Sequence, residues 1–362
     1  MKITYPHMGE VYIAVKGMFD DLGIKSIIAP FTTENILKIG AQESPEYVCL
    51  PFKITLGNYI KSLEAGADTV VITGSCGPCR FGYYGPLQKE ILKDMGYDVD
   101  FIIIDPPKEG VPKFINNIKK LSGGKGIKAL KALYNAYNVC VEIDKLNEIQ
   151  YYVRPRTKDK TIVNNIMYNF RKKVLDTNGT SDIISLIKIT YEKLLALPID
   201  NNIEPVKIGI IGEIYTIIEP FSNLNVEEKL GNMGAHVHRS MTIKGWAENN
   251  LIKPMTARKS YKAEKTLAKP YIPFLIGVHT QQCIGHAINY SLQKYDGLVQ
   301  IYPMTCMPEI VSRTILSQVE KDYNIPILYL VVDELTGESG YQTRLEAFYD
   351  YVKYRRTKIL YS

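Results

Sequence analysis

Residues 66–82 read GADTVVITGSCGPCRFG. The β-branched run from Thr69 to Thr73 has strand composition, and its near-continuous apolarity is that of a strand covered on both faces of a parallel sheet. The run stops at Gly74, and two thiols follow in Cys-Gly-Pro-Cys. A helical period takes over from about Gly85 to Met95, before a further strand-like run, DFIIID, at 100–105. Upstream, MKITYP and SIIAPF read as strands, while VYIAVKGMFDDLG and ITLGNYIKSLEAGA read as helices. Short apolar runs alternating with helical periods indicate a doubly wound α/β domain, here residues 1–111.

The pattern then changes. Residues 112–204 are mainly helical, with many charges and no clear strand, an insertion or a lid. Strand signals restart with KIGIIGEIY near Val206 and recur in AHVHRSM, YIPFLIG, GLVQIYP and IPILYLVVD, with helices at NVEEKLGNMG, around Ile284–Lys294 and after Pro308. Residues 205–362 therefore read as a second doubly wound parallel-sheet domain with a final helix, TRLEAFYDYVKYRR. In TGESGYQTRLEAF, Thr336, Gly337 and Gly340 form a turn, with Thr343 as the expected helix cap and Glu346 three residues on.

With 362 residues and 46% hydrophobic content, the chain can bury a sizeable core. No apolar stretch approaches the roughly 20 residues of a membrane span. MKITYPHMGE lacks the charged flank and apolar core of a secretion signal, so the expected address is the cytoplasm. Six cysteines are then thiols or metal ligands and not a disulfide framework. A net charge of +6, spread over 44 basic and 38 acidic residues, is no nucleic-acid footprint. The basic middle, with VRPRTKDK and Arg171–Lys173, reads as a solvated surface or as a docking face for an acidic partner.

Four cysteines follow expected strand ends: Cys49 in YVCLPFK, Cys76 and Cys79 in the opening stretch, and Cys306 in YPMTCMPEI. Ligands of open α/β sheets bind beyond the strand carboxyl ends, here a cleft between the two domains. Cys49 and Cys306 are each followed, one residue on, by a proline suited to a helix start. Each sulfur would then sit beside free backbone N–H groups that favour thiolate. C-x-x-C also serves dithiol exchange and structural zinc. A cluster bound by thiolates from several loops fits the placement of all four. Cys140 reads as a core thiol, and Cys283 as a core or loop thiol or an additional ligand.

The segments CLPFK, GADTVVITGSCGPCRFGYYG, GEIYTIIEPFSN, DGLVQIYPMTCMPEIVSR and DELTGESGYQTRLEAF resemble the acyl-CoA dehydratase activase-related proteins. These are relatives of the iron–sulfur subunits of 2-hydroxyacyl-CoA dehydratases and of the double-cubane cluster proteins. The resemblance spans both α/β regions; the helical middle carries no matching motif. It implies a 4Fe-4S cluster on Cys49, Cys76, Cys79 and Cys306, reduced by an ATP-hydrolysing activator that carries its own cluster. A CoA thioester is the first substrate expected. Dehydratase subunits use three cysteines and leave one iron open; four thiolates would close a single cubane, which favours electron transfer. Six cysteines could formally supply a double cubane. A non-catalytic scaffold or carrier and a zinc-stabilised binding protein stand as alternatives, and catalysis and a homo- or hetero-oligomeric state are left open.

Around that site, Arg80 is a candidate to hydrogen-bond cluster sulfides or a bound acid, or else a surface arginine; Lys53 is a candidate to balance cluster charge; and Gly77, with Gly74 and Gly82, lets backbone approach the ligand or serves a tight strand-to-helix turn. Glu213, at the end of the first strand of the second domain beside Tyr215, is a proton-delivery candidate or a structural cap. His279 and His286 are candidate proton donors. His236 and His238 alternate on one strand face, exposed or paired for metal. Glu334 and Glu338 could turn toward the site.

Overall fold

A computed structural model describes residues 1–74, 79–105, 112, 114, 116–117, 122, 126–256, 261–277 and 279–361. In chain order these form β1 (Ile3–Thr4), α1 (Val11–Leu22), α2 (Glu34–Glu43), α3 (Leu50–Glu64), β2 (Thr69–Thr73), α4 (Tyr84–Asp94) and β3 (Asp100–Ile104). Three helices follow: α5 (Gly126–Val153), α6 (Lys160–Asp176) and α7 (Gly179–Leu195). Next come β4 (Val206–Gly212), α8 (Ile214–Ile218), α9 (Val226–Met233), β5 (Ala235–Arg239), α10 (Ile243–Ala247), α11 (Lys253–Met255) and α12 (Lys262–Ala268). The chain ends in α13 (Thr280–Leu292), β6 (Gly297–Pro303), α14 (Met307–Asp322), β7 (Ile327–Val332) and α15 (Glu338–Tyr361). The protein is thus α/β, with two parallel sheets and a long helical region between them in sequence. No described helix is long and apolar enough to cross a membrane.

The chain divides into two compact units: Met1–Ile143 with Asp176–Ser185 and Ile243–Ser260, and Asp144–Leu175 with Leu186–Thr242 and Tyr261–Ser362. In unit 1 the sheet is β1-β2-β3, all parallel, with Ile3 opposite Thr69 and Thr69 opposite Asp100. The expected strand SIIAPF does not form. Ser26 makes one bridge to Ile3 and the chain leaves the sheet, because the following Ala-Pro removes a ladder donor. The core lies between the sheet and α3 and α4, around Phe52, Leu56, Tyr59, Val70, Ile72 and Leu92.

Helix α2, which the apolar pattern did not announce, begins at Thr33, whose hydroxyl accepts from the Ile36 N–H. It crosses α3 at backbone contact. A Cβ on Gly40 would stand 1.8 Å from the Lys53 carbonyl oxygen, and one on Gly57 2.1 Å from that of Ile36. Also in unit 1, carboxylates of α1 cap the start of α7: Gly179 N–H donates to Asp20 and the Thr180 N–H and hydroxyl donate to Asp21.

Unit 2 carries the sheet β5-β4-β6-β7, again all parallel. Its core collects Ile211, Ile284, Ile288, Leu298, Leu316 and Ile327. YIPFLIG forms no strand; Gln281 Nε2 donates to the carbonyls of Ile272 and Phe274 and takes the place of a ladder neighbour. The final helix starts at Glu338, so Thr343 lies inside it, its hydroxyl turned back to the Ser339 carbonyl. The cap-like turn lies earlier, where Asp333 accepts from Leu335 N–H and the Thr336 hydroxyl.

Part of the basic middle turns inward. Arg154 is buried, donating to Gln150 and Asn164, and Asn164 in turn donates to Glu228. The solvated-surface reading therefore fails at this residue, whose guanidinium is held inside the unit by neutral side chains with the Glu228 carboxylate nearby.

Forcing a methyl group into a backbone crossing cannot be relieved by a rotamer change. Gly57→Ala is expected to cost about 3 kcal/mol or more, the upper end for overpacking, read as a lowered urea midpoint. Gly337→Ala, where nothing lies within 4 Å of the added carbon, is expected to leave that midpoint in place.

Candidate functional site

In a parallel sheet all strand carboxyl ends lie along one edge. In unit 1 that edge carries Gly74 and Asp105, immediately after β2 and β3. Gly74 N–H donates to the Ile104 carbonyl. A Cβ at Gly74 would fall 2.3 Å from the Asp105 carboxylate, so any larger residue here would have to displace that side chain. Gly77 and Cys76, which come next, lie outside the described residues.

Cys49 is the residue before α3, with φ −72° and ψ 151°, and Pro51 opens the helix. Cys306 stands in the same way before α14, with φ −79° and ψ 95° and Pro308 in the first turn. Cys79 precedes a short 3-10 turn, Arg80–Tyr83, that runs into α4. The helix-start placement expected from CLP and CMP is present at both. The strand-end expectation holds for Cys306, three residues past β6, and fails for Cys49, which follows α2 and a five-residue connection, 44–48. Residues 44–48 include Pro45 and are too polar to form a strand.

The Cys49 sulfur lies 2.6 Å from the phenolic oxygen of Tyr84, a residue that nothing in the sequence distinguishes from its neighbour Tyr83. Arg80 is exposed and donates to the Tyr47 carbonyl, 2.8 Å away. This ties the Cys79 turn to the loop before Cys49. Lys53 is buried, its ammonium donating to the Glu46 carbonyl, so its charge serves the same loop. His7 and Glu10, both buried beyond the end of β1, share this edge; sequence reading passed over them because MKITYPHMGE carries no motif.

In unit 2 the corresponding edge gathers Glu213, His279 and Cys306. Glu213 is the cap of α8, its carboxylate accepting from the N–H groups of Tyr215 and Thr216 at 3.0 Å each. Burial raises its pKa and those N–H groups lower it; of the two roles expected, the geometry is that of a cap. His279 precedes α13, and the next residue, Thr280, donates to the Pro308 carbonyl in the first turn of α14. His286 is two turns farther along α13, roughly 10 Å by helix rise. Its surroundings include Tyr290 and Glu264, and burial lowers its pKa. The structure thus separates His286 from the Cys306 corner.

A polar nest missed by sequence reading lies just behind Cys306. Glu309 is fully buried in the first turn of α14 and accepts from the Gln300 amide at 2.9 Å. The Cys283 thiol is fully buried beside it, its pKa raised by burial and then by Glu309. Cys283 is therefore a protonated core thiol and no surface ligand, and Cys140 is likewise buried, in α5. Burial pushes Glu309 itself up to about 7 from an ordinary 4.5, while Gln300 and Cys283 lower it and Glu213 adds to the rise. The sequence signal was present, an acidic residue in the first turn after CMP, where the helix dipole favours it.

Elsewhere in unit 2, His236 and His238 are half-buried on β5 with rings 4.2 Å apart, so simple exposure does not describe them. Burial, with His238 and two basic neighbours, lowers His236 to about 3. Glu334 and Glu338 are exposed, Glu338 paired with Lys229 at 2.7 Å. Among the described residues no group of three or more His, Cys, Asp or Glu converges as a ready-made metal site. No family model and no curated protein matches this sequence.

The Glu309 carboxyl predicts a pH dependence. The folded chain holds this proton up to about pH 7, whereas the unfolded chain releases it near 4.5. The stability contributed by the neutral carboxyl is therefore complete below 4.5 and is lost as pH rises toward 7, by roughly 3 kcal/mol at most. Glu309→Gln, with no proton to lose, is expected to flatten that part of the curve of urea midpoint against pH.

Proposed function

We propose that this chain is an iron–sulfur protein in which Cys49, Cys76, Cys79 and Cys306 hold a 4Fe-4S cluster. It would accept low-potential electrons from an ATP-hydrolysing activator and pass them to a small molecule, a CoA thioester being the first class to try, or to a partner enzyme. One observation carries this reading. Each described cysteine of the set, Cys49, Cys79 and Cys306, immediately precedes a helical turn, while the two outside it, Cys140 and Cys283, are buried within helices.

The donor set fits the group. Backbone N–H groups at a helix start offset the negative charge of thiolates and sulfides, and thiolate is the common ligand of such clusters. A bound cluster would supply one-electron transfer at low potential. The chain's own residues hold the sulfurs: Lys53 and Arg80 fasten the loop before Cys49, and the first-turn hydrogen bonds to the Cys49 and Cys306 carbonyls anchor each corner.

Four thiolates leave no iron position open for a substrate oxygen. This favours a second reading, in which the protein carries electrons without catalysing a reaction. The double-cubane arrangement would require the two buried thiols, which argues against it. We read residues 1–111 and 205–362 as doubly wound domains, the alternation of helices with the parallel strands of each sheet supporting that reading.

Anaerobic reconstitution with iron and sulfide, followed by metal analysis and EPR of the dithionite-reduced chain, tests the assignment. About four irons per chain are expected, lost or lowered in the serine variants of Cys49, Cys76, Cys79 and Cys306 and retained in Cys140→Ser and Cys283→Ser. A colourless chain with stoichiometric zinc would sink the iron–sulfur reading in favour of a zinc-stabilised binding protein.

A further inference from the structure

We propose that Tyr84 positions and tunes the Cys49 sulfur, donating its phenolic hydrogen to it and making the bound cluster easier to reduce. This rests on the iron–sulfur reading above. The Tyr84 oxygen and the Cys49 sulfur are 2.6 Å apart. The tyrosine is 4% exposed, and its ring is held by Phe52 at 5.0 Å and 86° and by Phe81 at 5.0 Å and 56°. Phe52 sits in the first turn of the helix that Cys49 begins, and Phe81 is two residues past Cys79. The ring is thereby packed against both the helix that Cys49 begins and the turn that follows Cys79.

A metal-bound thiolate has no hydrogen to give, so in the loaded protein the phenol is the donor. Hydrogen bonds to a charged acceptor are about twice as strong as neutral ones. Negative charge on the thiolates grows when a cluster gains an electron, so a fixed donor stabilises the reduced form more than the oxidised. Hydrogen bonds to cluster sulfurs are among the recognised determinants of potential. The adjacent Tyr83 is 75% exposed and provides an internal control, since only position 84 falls on the buried face of α4 with Gly85, Gln88 and Leu92.

The test uses the full chain and two variants, Tyr84→Phe and Tyr83→Phe, reconstituted anaerobically and titrated by EPR. Both are expected to keep the wild-type iron and sulfide content. Only Tyr84→Phe should be harder to reduce, by about tenfold in the reduction equilibrium, or about 59 mV for one electron. An unchanged midpoint, or an equal shift in Tyr83→Phe, overturns the inference. The metal-free chain gives a readout that does not depend on the cluster. The Cys49 S–H stretching band, identified by its loss in Cys49→Ala, should shift or become visible in Tyr84→Phe. Identical infrared bands in wild type and variant overturn the hydrogen bond. A wild-type chain that takes up no iron overturns the iron–sulfur reading, with the infrared difference still reporting on Tyr84.

Discussion

The geometry of unit 1 depends on two helices touching through bare backbone. Where α2 crosses α3, Gly40 faces the Lys53 carbonyl and Gly57 faces that of Ile36, with no room for a side-chain carbon at either position. This contact fixes where α3 begins and hence where Cys49 stands. Buried packing along α3, from Phe52 to Tyr59, then holds the helix against the sheet. Lys53 adds to the same constraint: its backbone lies at the crossing while its ammonium secures the preceding loop. The cysteine-bearing turn is thus built on a helix with 13 of its 15 residues buried.

Unit 2 reaches a comparable corner by another route. Cys306 lies three residues past β6, a strand buried along its whole length, and the turn is stabilised from within by Glu309, Gln300 and Cys283. Here the support is polar and buried, in unit 1 it is steric and apolar. Buried polar groups are costly unless partnered, and the neutral state of Glu309 is the least costly way to place an acid there.

What could be read from the sequence follows the range of the interactions involved. The uninterrupted strands β2, β4, β6 and β7, the helices at Val11, Leu50 and Met307, and the proline-marked helix starts after Cys49 and Cys306 are local features, and all were legible. SIIAPF and YIPFLIG have strand composition, but their prolines and the competing hydrogen bonds of Gln281 decided otherwise. Helix α2 was not announced because only Ile36 and Gly40 of its ten residues are buried, too few to mark an apolar stripe. Tyr84, Asp105 and Glu309 matter through neighbours distant in sequence, information that no single segment holds. Glu213 was correctly placed at the end of β4, and its choice between cap and proton donor depended on two N–H groups of the next turn.

The sealing of Cys283 also sets its reactivity. A thiol kept protonated by burial and by an adjacent carboxyl is a poor nucleophile and a poor ligand. It is therefore withheld from oxidation and from disulfide exchange with more accessible thiols such as Cys306. The fold, in effect, confines thiol chemistry to the cysteines it leaves partly exposed, Cys49, Cys79 and Cys306 among the described residues.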